Sequence, residues 1–429
     1  MRAEVKQRIE QIQQGRIPQN YKKENGWIIP LAWCFVKDNE LFSFIRNGFV
    51  GTVTPFYTTK DKGVPYLQGT NIKDGKIILT AAYFVTQEFD KAHPNSRLKF
   101  ADVVIIQSGN VGEAAVIEND FDGGNCHALI IMTPIKKVDS YWQMYLLNSP
   151  YKNRLLGGLI TGNTLHHILA SDMKKLMIPY PSEDERKQII NILMTQDRVI
   201  ALREKLLAEK LRRKQYLIQV LLTGKKRLPG LNGKWKVCRL DEVLCERKEK
   251  TGERDLRICS VAVHEGVVDQ LEHLGRRYAA QDTSNYAVVH YGDIVYTKSP
   301  TGDFPFGIIK QSFLQELVAV SPLYGVFIPA NFWLGQLLHM YFQSAINTKN
   351  YLLPIMQKGA KNTINISNQT FLSNKLYLPM EAEEQEAIAK IFLTIEREIT
   401  LLEQVLIQER RKKKALMQLL LSGIVRVKP

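Results

Sequence analysis

The sequence lacks the features that would place the protein in a membrane or an oxidising compartment. No apolar run approaches the ~18 residues of a membrane-spanning helix, and the amino-terminal stretch MRAEVKQRIEQIQQ has no apolar signal core. The five cysteines form no C-x-x-C pair, which argues against a disulfide framework or a cysteine-based zinc site. These absences favour a cytoplasmic protein with no membrane partner.

The motifs of the common nucleotide-dependent and metal-dependent enzymes are also missing. There is no G-x-x-x-x-G-K-[ST] loop, no G-x-G-x-x-G fingerprint and no N-P-P-Y or D-P-P-Y motif of amino-methyltransferases. The histidines show no i, i+4 metal spacing, and the adjacent His166 and His167 would not share a helix face. Asp102 and Asp293 each precede an apolar strand beside Ala or Gly, where a turn role is favoured over acid–base chemistry. The sequence therefore predicts no catalytic residue, no metal site and no cofactor in this chain.

What the chain has in excess is positive charge. Lys and Arg total 58 against 43 Asp and Glu, so the net charge is +15 and the pI is near 9.4. This excess points towards a polyanionic partner, although the many acidic residues exclude a simple basic tail. Hydrophobic residues make up 45% of the 429 positions, enough for large cores. At ~150 residues per domain, two or three domains are expected.

The chain repeats itself at an offset of 199 or 200 residues. KLMI before Pro179 matches KLYL before Pro379, DERKQIINIL matches EEQEAIAKIF, and LIQVLLTG matches LMQLLLSG. Further upstream, at a shorter offset of 191 residues, Asp102 and Asp293 open matching strand motifs. A module of roughly 200 residues is therefore used twice.

A third, partial copy lies at the amino terminus. Ile9, Ile12 and Gly15 match the ends of both long repeated segments, and Gly26-Trp27 is taken as the counterpart of Gly233 and Trp235. This pattern is expected of a ring cut open at an arbitrary point. A generic amphipathic helix end explains it equally well.

Each copy contains one long stretch with helical periodicity. Residues 183–223 contain no Gly or Pro, Ser182 and Glu185 have the spacing of a capping box, and Gly224 suits a helix end. The second stretch runs from about 382 to 422 before Gly423. A rod of ~60 Å with one apolar stripe needs a partner, so we expect the two rods to pair as an antiparallel coiled coil. The basic ends of both rods suit a solvated face, phosphate contact or docking to a partner.

The residues between the helices predict mixed α+β modules. Val103–Ile106 and Ile294–Tyr296 are typical of buried strands, and Lys73–Lys76 of a hairpin turn. Gly51–Pro55 and Gly63–Leu67 are interpreted as a turn followed by a strand. The helices are alike, whereas the modules differ: RICSVAVHEGVV in the second has no close counterpart in the first.

These motifs together resemble the DNA-specificity subunit of Type I restriction–modification systems. The resemblance rests on an ordered set of motifs that covers nearly the whole chain: G-x-T-P at Gly51–Pro55 with one extra residue, the GVPYL strand, the Ala/Gly-Asp strand that ends in Ser and Gly, Asn-Thr before K-L-x-[IL]-P, and E-x-x-x-I leading into a helix that ends LLTG or LLSG.

The resemblance implies an architecture and a division of labour. Two mixed α/β target-recognition domains would be joined by two long antiparallel coiled-coil helices, with an internal pseudo-two-fold repeat. The implied segments are an amino-terminal helical segment (1–26), the first recognition domain (27–181), the first long helix (182–226), the second recognition domain (227–380), and the second long helix with its tail (381–429).

The resemblance also implies partners. Each recognition domain would read one half of a bipartite, asymmetric sequence in double-stranded DNA, and the helices would set the spacing and dock two methyltransferase subunits. Motor–nuclease subunits could join the complex. S-adenosylmethionine, ATP and magnesium would belong to the partners, and this chain would be non-catalytic.

Residues that can reach phosphates and base edges are expected on the loops, although a turn or solvated role is open for each of them. The candidates are Tyr57, Thr58, Lys60, Gln68, Asn71, Ser108, Asn110, Asn163, Thr164, Lys298, Ser299, Thr301, Lys358, Lys361, Asn362 and Thr363. The rival hypotheses are a scaffold that joins two proteins without reading DNA, and a self-sufficient DNA enzyme, which the missing motifs disfavour.

Overall fold

The protein has two long helices, one at the end of each repeat, and its other described helices are short. The computed structural model describes residues 3–78, 83–161, 166–274, 282–358 and 364–427. Its helices are α1 (Ala3–Gln13), α2 (Asp38–Leu41), α3 (Gln87–Ala92), α4 (Lys137–Leu147), α5 (Lys152–Leu156), α6 (Ala170–Met173), α7 (Glu183–Leu221), α8 (Gln270–Leu274), α9 (Phe332–Phe342), α10 (Ala345–Leu352), α11 (Asn368–Ser373) and α12 (Ala382–Leu420). The two long helices α7 and α12 lie where the repeat predicts them, and the mixed fold with two domains joined by helices is confirmed.

The chain forms two compact units whose boundaries fall inside the long helices. Unit 1 comprises residues 1–203 and 405–429, and unit 2 comprises residues 204–404. The strands of unit 1 are β1 (Tyr21–Glu24), β2 (Trp27–Pro30), β3 (Cys34–Lys37), β4 (Phe42–Asn47), β5 (Val64–Leu67), β6 (Ile72–Lys73), β7 (Lys76–Ile77), β8 (Tyr83–Val85), β9 (Val103–Ile106), β10 (Ala114–Val116), β11 (Asn125–Cys126), β12 (Leu129–Pro134) and β13 (Met177–Tyr180).

Unit 2 has twelve strands within the described residues. They are β14 (Trp235–Arg239), β15 (Leu244–Glu246), β16 (Arg257–Ala262), β17 (Gly266–Asp269), β18 (Ala287–Val289), β19 (Ile294–Tyr296), β20 (Ile309–Gln311), β21 (Val318–Val320), β22 (Gly325–Pro329), β23 (Gln357–Lys358), β24 (Ile364–Asn365) and β25 (Lys375–Pro379). The predicted strands β9 and β19 and the hairpin turn between β6 and β7 are confirmed. Gly51–Pro55 leads into a 3₁₀ turn instead of a strand, because proline fits the first turn of a helix.

Both units contain the same antiparallel four-stranded sheet, which we call the shared sheet. Its order is β10-β9-β12-β4 in unit 1 and β20-β19-β22-β15 in unit 2. In each unit the strand before the helices, β12 or β22, leads into a pair of helices, and a short helix and a last strand then lead into the long helix. The central strand is buried on both faces, because alternate side chains enter two different apolar cores.

The two aspartates that precede the central strands close equivalent turns. Asp102 accepts a hydrogen bond from the backbone N–H of Lys99 at 2.9 Å, and Asp293 accepts one from His290 at 2.8 Å. The preceding residues, Ala101 and Gly292, both adopt a left-handed φ, of 69° and 89°. The turn role predicted for these aspartates is therefore confirmed.

A second layer of strands differs between the units. In unit 1 it is the three-stranded sheet β11-β5-β8, and in unit 2 it is the four-stranded sheet β17-β16-β21-β18. The sequence RICSVA without a counterpart in unit 1 forms β16. The repeat is therefore close in the shared sheet and loose in the second layer.

Within each unit the two long helices run antiparallel. In unit 1, Arg203 pairs with Glu409 and Asp197 with Lys413, so the numbers fall along α7 as they rise along α12. In unit 2, Lys210 pairs with Glu398 and Lys214 with Glu396 in the same sense. The predicted antiparallel pairing of the helices is confirmed within each unit.

A buried glutamate in the first turn of each long helix ties several segments together, and we call this contact the glutamate clamp. Glu185 accepts hydrogen bonds from Trp33 Nε1 at 3.0 Å and from the Arg426 guanidinium at 2.5 and 2.8 Å. Glu384 accepts the same pair of bonds in unit 2, from Trp235 Nε1 at 3.0 Å and from the guanidinium of Arg227 at 2.7 Å.

The clamp corrects two expectations. The counterpart of Trp235 is Trp33, whereas Trp27 lies in the β1–β2 hairpin beneath Arg154. The capping box at Ser182 is only half formed: Ser182 Oγ accepts from the N–H of Glu185 at 3.4 Å, but the Glu185 carboxylate is used by the clamp. A charge-assisted contact with an arginine is stronger than the return bond to a neutral backbone amide.

The amino-terminal segment packs on the carboxyl-terminal tail. The Arg8 guanidinium donates to the carbonyl of Ile424, and Tyr21 Oη donates to that of Gly423 at 2.6 Å. Gly15, Gly224 and Gly423 each follow a helix with φ between 68° and 73°. These contacts fit the third partial copy, while the domain boundaries drawn from the sequence stay predictions.

Candidate nucleic-acid interface

The β9–β10 hairpin of unit 1 carries two of the predicted contact residues in its loop. Asn110 is exposed, and its side chain is available to an external partner. Ser108 is half-buried, and its hydroxyl lies 2.7 Å from Nδ1 of His167. The loop therefore offers one free amide and one hydroxyl that is already held by a histidine. His167 was assigned no role from the sequence, because only the fold brings it to Ser108.

A polar and aromatic cluster lies in the second layer of unit 1. Gln68 Nε2 donates to Tyr57 Oη at 2.9 Å, and the Tyr57 ring stacks on Tyr83 with 4.7 Å between centroids. Tyr83 is 44% exposed, and sequence reasoning missed it because no motif marks it. Thr58 is half-buried and Lys60 is exposed on the same loop. Stacked aromatic rings beside hydrogen-bonding side chains can contact bases as well as sugars.

Asn71 does not belong to this surface. It is 1% exposed, accepts from the backbone N–H of Gln68 at 2.9 Å and donates to the carbonyl of Ile78 at 3.1 Å. Both ends of its amide are used inside the fold, so a base contact would require this turn to open. The interpretation of Asn71 as a DNA contact is therefore corrected.

The β19–β20 hairpin is the counterpart of the β9–β10 hairpin and has a longer loop, residues 297–308. Ser299 and Thr301 are exposed in it, and Lys298 is half-buried with φ of 60°. Burial lowers the pKa of Lys298, and the negative charge of Glu246 acts in the opposite direction. The loop base is fixed because Thr297 Oγ1 accepts from the N–H of Ile308 at 3.0 Å. Two predicted contacts in unit 1 and three in unit 2 therefore lie on equivalent hairpins.

The structure describes only one of the remaining predicted contact residues. Lys358 lies in β23, which pairs with β24. Asn163, Thr164, Lys361, Asn362 and Thr363 lie outside the described residues, so their predicted contacts stay predictions.

The described residues contain neither a group of metal-ligating side chains nor a membrane-spanning helix. In the ranges given above, no three His, Cys, Asp or Glu side chains are grouped to hold a metal ion. Across the same ranges, every helix is too short or too polar to cross a bilayer. What the hairpins and loops offer is hydrogen-bond donors, acceptors and lysine charge.

Residues 31–210 match the family model described as the Type I restriction modification DNA specificity domain. The putative type I restriction enzyme MjaX specificity subunit of Methanocaldococcus jannaschii is 24% identical over 436 aligned positions, which cover 96% of this chain and 97% of that protein. Residues 31–210 are therefore a Type I restriction modification DNA specificity domain, and the chain is similar to Type I specificity subunits over nearly its whole length.

A second relative in the same organism, the MjaVIII specificity subunit, is 25% identical over 219 residues. This match covers 50% of the present chain and 51% of the relative. It therefore corresponds to about one copy of the repeat.

Solved structures show the same fold. The S subunit of a Type I system from M. genitalium superposes with a TM-score of 0.56 at 15% identity, covering 93% of this chain and 97% of that one. A chain from a study of complex assembly and conformational transition of the type I R-M system superposes with a TM-score of 0.53 at 16% identity, covering 92% and 99%.

Proposed function

We propose that this chain is a Type I specificity subunit that reads a bipartite, asymmetric sequence in double-stranded DNA, one half with each unit. The observation that carries the proposal is the shared sheet, which presents equivalent hairpins whose loops differ in length and in chemistry. Loop 107–113 offers Ser108 and Asn110, whereas loop 297–308 offers Lys298, Ser299 and Thr301. Equivalent supports with different side chains suit two different half-sites.

The chemistry of these side chains supports the division between affinity and specificity. Lysines near phosphates would supply affinity for any duplex, in line with the net charge of +15. Amide and hydroxyl groups such as Asn110 and Thr301 would read base edges. The stacked rings of Tyr57 and Tyr83 would add to the DNA-contacting surface of unit 1.

We assign the long helices two tasks: spacing the two recognition units and docking methyltransferase subunits, two per complex. Apolar side chains remain exposed on α7, among them Leu202 at 59% and Leu206 at 45%. Exposed leucines on a helix that already has a partner helix suit a further protein contact. Motor–nuclease subunits would complete a restriction complex in the cytoplasm. The chain itself would be non-catalytic, with S-adenosylmethionine, ATP and magnesium bound by its partners.

Lengthening the first long helix tests the spacing role. Four residues inserted after Leu207 add about one turn, or ~6 Å, and DNA rises ~3.4 Å per base pair along each strand. The gap between the half-sites should grow by about one or two base pairs while both half-sites keep their sequences. Mapping methylated sites across the genome of cells that carry the insertion measures this. An active complex with the original gap would rule out the spacing role.

A protein scaffold that ignores DNA sequence is the second candidate. Mobility-shift assays on random duplexes with the methyltransferase-bound chain separate the two hypotheses. A specificity subunit enriches one bipartite sequence, whereas a scaffold enriches none.

A further inference from the structure

One position of the shared sheet differs sharply between the units. In unit 1, Ala115 of β10 pairs with Val104 and lies in an apolar core. In unit 2, the equivalent position of β20 is Lys310, which pairs with Val295. The fold therefore does not require a lysine at this position. Unit 2 has a buried ammonium where unit 1 has a methyl group.

Lys310 is buried and has no direct partner. It is 3% exposed, and among the described residues no acceptor lies within hydrogen-bond or ion-pair distance of its ammonium. The charges that influence it act through space: Lys214 repels it, while Glu396 and Glu265 attract it. The hydroxyl of Ser260, 6% exposed, is buried without a partner, whereas the Lys310 ammonium still borders the cleft. A largely buried cation without a counter-charge in contact is costly unless something external completes it.

Both groups line the same cleft, which lies entirely within unit 2. Its volume is about 940 Å³, and its lining includes the apolar side chains Val261, Phe304 and Tyr324. Asp303 and Glu265 belong to the exposed part of the lining. A volume of this size suits a small organic molecule and far exceeds an inorganic ion.

The neighbouring ion pair does not neutralise Lys310. Glu396 Oε1 already accepts from Lys214 at 2.8 Å and from Gln343 at 2.9 Å. Burial lowers the pKa of Lys310 to about 8, and Lys214 adds to this effect. At neutral pH the ammonium is therefore mostly charged and would gain from an anionic ligand.

We propose that this cleft of unit 2 binds a nucleoside monophosphate, whose phosphate is held by Lys310 and Ser260. An ammonium and a hydroxyl supply several donors to one tetrahedral anion. The half-buried Tyr324 offers aromatic contact for a base, and the Asp303 and Glu265 carboxylates can accept from sugar hydroxyls. The ligand is either a free nucleotide or one unit of a DNA strand, since Thr301, Asp303 and Phe304 come from the β19–β20 loop. The site itself does not depend on DNA reading by unit 2.

Calorimetric titration of the full chain tests the site, with adenosine 5′-monophosphate, its 2′-deoxy analogue and adenosine as probes. One or both phosphates should bind saturably, and adenosine should bind about ten- to a hundredfold more weakly, because it lacks the charge-assisted hydrogen bonds. Lys310→Met should abolish binding of the phosphates, whereas the exposed Lys349→Met should leave it unchanged. Competition by the oligonucleotide d(AAAA) would assign the ligand to a DNA strand, and its failure to compete would assign it to the free nucleotide pool.

The stability and the binding of these variants can also contradict the proposal. Lys310→Met should melt no lower than the parent chain, because an apolar side chain of similar length replaces an unpaired buried charge. Should it fail to fold, Ser260→Ala decides, with an expected loss of about threefold or more in affinity. Absence of saturable binding by both phosphates would overturn the proposal. Undiminished binding to the variant that folds would overturn it as well.

Discussion

The shared sheet is alike in the two units, whereas the second layer of strands differs between them. Both units have the shared sheet in the same strand order, the same aspartate turn and the same glutamate clamp on the long helix. The second layer has three strands in one unit and four in the other, and β16 has no sequence counterpart in unit 1. Contacts with the long helices are therefore alike, whereas the loops and outer strands differ.

This contrast separates support from recognition. A residue that packs on the helices has to satisfy the same geometry in both copies, so Trp33 and Trp235 make the same bond. A residue on a hairpin loop has no such constraint, so under the proposed function it can differ with the half-site that each unit reads. The contrast can be tested by changing one region and measuring its effect on the other.

The largest effect should come from replacing a whole recognition region. Exchanging residues 27–180 for the equivalent segment of a related subunit should change one half of the methylated sequence completely and leave the other half intact. The reason is that the second recognition region keeps its own loops and sheets. Sequencing of methylated sites in cells measures both halves at once. A change in both halves, or in neither, would contradict the separation.

The next largest effect should come from replacing the glutamate of either clamp, and the loss of stability should be equal in the two units. Glu185 and Glu384 are 2% and 1% exposed, and each accepts from one tryptophan and one arginine. Replacement by Gln keeps the shape but removes the charge from a largely buried pair, so each variant should lose roughly 2–3 kcal/mol of unfolding free energy. Calorimetry should show a melting temperature lower by about 4–12 °C.

The exposed Glu253→Gln serves as the control for the clamp and should change nothing. A large loss at one clamp with none at the other would show that the two supports are not equivalent.

Much of the architecture that the two units share could be predicted from the sequence, because its patterns are periodic and repeated. The long helices, the strands β9 and β19 and the aspartate turns all follow from local patterns that the chain repeats. The role of Glu185 was missed because its partners, Trp33 and Arg426, lie 152 and 241 residues away in sequence. The burial of Asn71 and Lys310 was missed for a related reason, since a polar residue on a short strand or turn gives no sign of which core it enters.

The hairpin loops should show smaller effects that differ in kind. Asn110→Ala, if this amide reads a base, should cost ~1–3 kcal/mol on the target and little on random DNA. Lys298→Ala, if it contacts a phosphate, should weaken all DNA alike and reduce the salt slope by about one. Binding isotherms at several salt concentrations, on target and random duplexes, measure both quantities. Equal losses on both duplexes for Asn110→Ala would show that this loop reads no bases.

The smallest effect concerns the turn that both units share. Gly292 and Ala101 occupy the same left-handed position, and a methyl group added at Gly292 would meet only Phe332 at 3.5 Å and Gln311 at 4.0 Å. Gly292→Ala should therefore cost only the backbone strain, about 1 kcal/mol, or a fall of ~2–4 °C in melting temperature. Ala101→Gly relieves the same strain, but it adds ~0.5–1 kcal/mol of unfolded-state entropy and removes a buried methyl group. Its melting temperature should accordingly stay within ~2 °C of the parent. If Gly292→Ala proved as costly as a clamp variant, the turn would be held by contacts that unit 1 does not share.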